Sequence, residues 1–96
     1  MRPNADDLMR FAATLEGVEL STAARGAIFT VLALPTGLQI TPASSGESRL
    51  VSREMVHKVC EENQRLGSTR PVDYQAISFD ASYLLALLQR YAEHQK

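Results

Sequence analysis

Apolar positions recur along this chain in three helix-like stretches and one strand-like block. Over residues 4–16, Leu8, Phe11, Ala12 and Leu15 fall at i, i+3, i+4 and i+7, which sets them on one face of a helix. Asn4 is placed to cap its start, with Asp7 three residues on in a capping-box spacing. Gly17 ends it, and Asp6, Asp7, Arg10 and Thr14 take the other side. Residues 27–34 (Ala-Ile-Phe-Thr-Val-Leu-Ala-Leu) are rich in β-formers and lie between Gly26 and Pro35, which predicts a largely buried strand. Pro35-Thr36-Gly37 then reads as a turn, and Leu38-Gln39-Ile40-Thr41 resumes as the second strand of a hairpin. Pro42 ends that strand because it has no amide proton for the ladder.

The segments between are less regular. Residues 18–26 fit a short strand, through the alternation of Val18, Glu19 and Leu20, and equally a single helical turn capped by Ser21. Residues 43–50 read as a polar loop. A second helix starts at the Ser52 cap, carries Glu54 in its first turn where the positive dipole end favours a carboxylate, and closes at Gly67. Val51 and Val56 have the spacing of a hydrophobic staple. Met55, Val56, Val59, Cys60 and Leu66 share one arc of its wheel. Residues 68–79 begin as a loop, since Pro71 excludes a helix running through Arg70. Asp80 caps a third helix, with Phe79 and Leu84 in staple spacing. Its apolar residues Leu84, Leu85, Leu87, Leu88, Tyr91 and Ala92 spread over more than half of the wheel, a width that faces either two neighbours or a partner chain. The expected architecture is α+β: an N-terminal helix, a β-hairpin open to a third antiparallel strand, and two C-terminal helices packed on the sheet.

Ninety-six residues, 45% hydrophobic and 22% charged, suit one globular domain and exclude a disordered or fibrous chain. Ten Lys and Arg against eleven Asp and Glu leave a formal charge of −1, so the strongly basic footprint of a general DNA-coating protein is missing. With Cys60 as the single cysteine, no intramolecular disulfide can form, which fits a reducing interior. The start of the chain does not read as a signal peptide. No apolar run approaches the ~20 residues needed to cross a bilayer. The expectation is a cytoplasmic protein.

Few residues offer chemistry. His57 and Cys60 stand one turn apart on the second helix, a spacing open to a thiolate–imidazole pair. The wheel separates them, with Cys60 on the apolar arc beside Val56 and His57 beside Arg53 and Glu61 toward solvent. His57 and Glu61 offer two metal ligands where a closed zinc site needs four. Glu54–Lys58, Lys58–Glu62 and Glu61–Arg65 are opposite charges four apart, which suits an exposed helix face. No acid–base pair, metal set or cofactor motif is legible.

Two surfaces remain. Tyr83, Leu87 and Tyr74 are candidates for an interaction surface, because the third helix is broadly apolar and Tyr is enriched among interface anchors. Ser44, Ser45, Arg49, Arg53 and Arg70 are candidates for anion binding, because a serine-rich loop leading to a helix N-terminus offers amides and a positive dipole end to phosphate. The P-loop pattern is absent there, and four acids accompany the five bases of residues 47–71, which works against a phosphate surface.

The stretch Ile40–Tyr91, with Thr41-Pro42-Ala43-Ser44-Ser45-Gly46, Arg49-Leu50-Val51-Ser52-Arg53, Arg70-Pro71-Val72-Asp73-Tyr74 and Ala81-Ser82-Tyr83-Leu84-Leu85-Ala86-Leu87-Leu88, resembles small uncharacterised bacterial proteins of the mobile-element type, such as those of integron gene cassettes. It covers about half of the chain, and the resemblance implies no activity, cofactor or site residue. The functional expectation is a small non-catalytic interaction module, forming a homodimer or docking a partner protein through the third helix or the hairpin edge. The alternative is a nucleic-acid or phosphate binder working through the Ser44–Arg53 segment.

Overall fold

A computed structural model describes residues 3–22, 26–67, 71–74 and 81–94. Among these residues the chain forms, in order, α1 (Ala5–Ala13), β1 (Leu20–Ser21), β2 (Ile28–Leu34), β3 (Gly37–Pro42), β4 (Arg49–Ser52), α2 (Arg53–Leu66), a 3-10 turn (Pro71–Tyr74) and α3 (Ala81–His94). The α+β class stands as expected. The sheet is larger than the hairpin with a third strand: four antiparallel strands in the order β1-β2-β3-β4.

Both strands of the hairpin lie where the pattern predicts them, β1 takes the strand option of residues 18–26, and β4 is the strand that the pattern does not predict. Leu20 and Ser21 pair with Phe29 and Ile28, which resolves the ambiguous 18–26 segment as strand at its start. The buried Thr22 closes the connection to β2, its amide donating to the Ala27 carbonyl at 3.0 Å and its hydroxyl accepting from the Ala27 amide at 3.1 Å. On the other side, Arg49–Ser52 pairs with Gly37–Ile40. The polar loop expected over residues 43–50 therefore ends early, and its last two residues enter a strand.

Pairing of Leu34 with Gly37 across Pro35 and Thr36 fixes the hairpin register. Side chains alternate between faces along each strand. One set, Leu20, Phe29, Val31, Leu38, Ile40 and Val51, is buried in a single core with the helices. Leu8 and Ala12 of α1, Val56, Val59 and Cys60 of α2, and Leu84 and Leu87 of α3 complete it. Gly37 holds β3 against β4: its φ is +156°, and a Cβ there would stand 2.1 Å from the Val51 carbonyl oxygen.

The helix ends follow their caps. Asn4 accepts from the Asp7 amide at 2.8 Å while the Asp7 carboxylate receives the Asn4 amide at 3.4 Å, completing the capping box. Ser52 accepts from the Met55 amide at 3.2 Å, and Gly67 ends α2 with φ +69°. Val51 and Val56 both lie in the core, as their staple spacing implies. Helix α1 stops at Ala13, short of the expected residue 16, where the Thr14 hydroxyl donates to the Phe11 carbonyl at 2.6 Å. On α2 the buried arc ends at Asn63, whose side chain reaches the Tyr74 hydroxyl at 3.5 Å, and Leu66 is left 42% exposed instead of joining the core. The Asp80 cap and the Phe79–Leu84 staple lie outside the described residues.

Two substitutions test this framework. Gly37→Ala is expected to cost about 2–4 kcal/mol, since the new methyl collides with main chain and cannot rotate away. Asn4→Ala is expected to cost about 1 kcal/mol by removing a cap. Both are read from urea unfolding midpoints against the unmodified chain.

Candidate functional site

The third-helix surface does not form. Leu87 and Tyr74 are 0% exposed in a single copy, so neither presents an interaction surface. Tyr83 is half-buried with its ring edge-on to Phe29, centroids 5.0 Å apart. The reason is the crowding around α3, which packs on α1, α2, β1 and the 3-10 turn. Leu84, Leu85, Ala86, Leu87 and Leu88 are all buried. Tyr91 closes the outer end edge-on to Phe11 at 5.4 Å. The wide stripe therefore serves several neighbours within one chain, the first of the two options that its width left open.

Nor do the anion candidates among the described residues converge. Ser44 and Ser45 sit in an exposed turn after β3, where the Gly46 amide donates to the Pro42 carbonyl at 2.8 Å and the Glu47 amide to the Ser45 hydroxyl at 3.3 Å. Arg49 opens β4 and Arg53 follows its end. A strand rise of ~3.4 Å per residue places them about 14 Å apart along the chain. The serine turn thus leads into a strand, and not directly to the α2 N-terminus. Arg53 is already paired with the Asp6 carboxylate, and its amide donates to the Thr36 carbonyl at 2.9 Å. The shallow groove beside it is lined by Asn4, Ala5, Asp6, Arg53, Glu54 and His57, so carboxylates share it with the arginine. Arg70 lies outside the described residues.

The second helix presents its charges as a solvated face. His57 meets Glu61 at 2.8 Å and Lys58 meets Glu54 at 3.6 Å, all four side chains more than half exposed. Arg65 turns to Glu62, at 2.7 and 3.1 Å, instead of the Glu61 four residues away, and this hydrogen bond holds the Glu62 carboxyl below its usual range. Cys60 is 1% exposed, and burial, aided by the negative charge of Asp7, pushes its thiol up to about 12. A thiol in that state is protonated at neutral pH and out of reach of His57, which lies on the exposed side of the helix. Among the described residues no group of three His, Cys, Asp or Glu side chains is placed to hold a metal ion, and no helix is long and apolar enough to cross a membrane.

What the structure adds is the opposite face of the sheet. All three helices share the core on one face. The alternate residues point away from it: Ile28, Thr30, Leu32 and Leu34 on β2, Gln39 and Thr41 on β3, and Leu50 on β4. Leu50 is 60% and Ile28 41% exposed, while Leu32 and Leu34 are half-buried. Leu32, Gln39 and Leu50 lie side by side in one row across three strands. The polar members are satisfied locally, since Gln39 donates to the Ser48 hydroxyl at 3.0 Å and the Thr41 and Ser48 hydroxyls share a bond at 2.8 Å. The reading of residues 27–34 as a largely buried strand holds for Phe29 and Val31 and fails for Ile28, because one helical layer covers one face only. An available signal was the apolar residue at both parities of this strand, in a protein too small to clothe a sheet twice.

Comparison with family models, with curated proteins and with solved structures finds no match for this chain. Its geometry therefore carries the functional reading.

The buried thiol has a measurable consequence. Its pKa is raised in the folded state, so its contribution to stability is complete below the unfolded thiol value near 9 and is lost as pH rises toward about 12. Stability is expected to fall through that window more steeply than in Cys60→Ala, as read from urea midpoints at successive pH values. An equal slope in both proteins counts against the burial of this thiol.

Proposed function

We propose that this chain is a small non-catalytic interaction module whose open sheet face docks against another protein surface, a second copy of itself or a different protein. One observation carries the reading: aliphatic side chains, Leu50 at 60% and Ile28 at 41% exposure, stand on a sheet face opposite the helices. An exposed, largely apolar face marks a docking surface more often than an inert exterior. Antiparallel sheets that face water on one side normally carry polar residues there. Here Ile28, Leu32, Leu34 and Leu50 take positions where Thr, Lys or Glu would serve solubility.

Supporting this reading over a phosphate or nucleic-acid surface is the state of Arg53 and Ser48. Arg53 is engaged by Asp6, and Ser48 by Gln39 and Thr41. Supporting it over catalysis is the protonated, enclosed Cys60.

Accessible apolar surface on a native protein raises the fluorescence of a dye such as anilinonaphthalene sulfonate. The unmodified chain is expected to do this under native conditions, and Leu50→Lys and Ile28→Lys are each expected to diminish it. Both variants are expected to unfold within about 0.5 kcal/mol of the parent, as exposed substitutions do. A native protein that leaves the dye dark, or dye binding indifferent to both substitutions, rejects the docking face.

A further inference from the structure

We draw no further inference here: the strongest candidate, the open aliphatic face of the sheet around Ile28, Leu32 and Leu50, belongs to the docking surface already described, and nothing in the structure shows which partner covers it.

Discussion

The register of the central hairpin governs where every other side chain goes. Leu34 pairs with Gly37 over the two residues Pro35 and Thr36, and the ladder then runs back to Phe29 opposite Pro42. Because strand side chains alternate, a slip of one residue would send Phe29 and Val31 to the outer face and Ile28 and Leu32 to the core. Two features hold the register. The Arg53 amide, at the first turn of α2, donates to the Thr36 carbonyl inside the turn at 2.9 Å. Gly37 lets β4 approach so closely that the Val51 carbonyl occupies the space a Cβ would need. The same contact delivers the chain from β4 into α2 without a loop, since Ser52 ends the strand and caps the helix.

Once the register is set, the helices divide the remaining work. Helices α1 and α2 lie on the inner face, with Leu8 and Ala12 on one side and Val56 and Val59 on the other, all in one core with Phe29, Val31 and Ile40. Helix α3 packs where α1, α2, β1 and the 3-10 turn meet. That position explains why five successive residues, Leu84 through Leu88, are buried, which an ordinary surface helix does not allow. A chain of 96 residues that places all three of these helices on one face of a sheet has nothing left, among its described residues, to lay on the other. The exposed aliphatics of β2 and β4 are the direct consequence of that allocation.

Electrostatics follows the same layering. Charged side chains gather on the outer surfaces of α1 and α2, where they pair at i, i+3 and i, i+4 spacing, and Arg53 links the two helices through Asp6. Exposed pairs of this kind contribute little each to stability. They hydrate that side of the molecule, whereas the strand residues on the open sheet face carry no ionisable group. Cys60 and His57, close in sequence, end on opposite sides of that boundary, one enclosed among Val56 and Val59 and the other in water.

Local signals in the sequence were sufficient for the start of α1 and for both ends of α2. The Asn4–Asp7 box, the Ser52 cap, the Gly67 stop and the hairpin around Pro35 are all decided within a few residues, because capping and turn geometry depend on near neighbours only. The apolar arc of α2 was legible for the same reason as far as Cys60. It failed at Leu66 and Asn63, where the 3-10 turn brings Tyr74 against the helix from outside that window. The second pair of strands, the enclosure of Leu87 and Tyr74, and the exposure of Ile28 and Leu50 belong to the tertiary structure. Each depends on which of two chemically similar faces a distant element covers, and hydrophobicity along a chain does not record that choice.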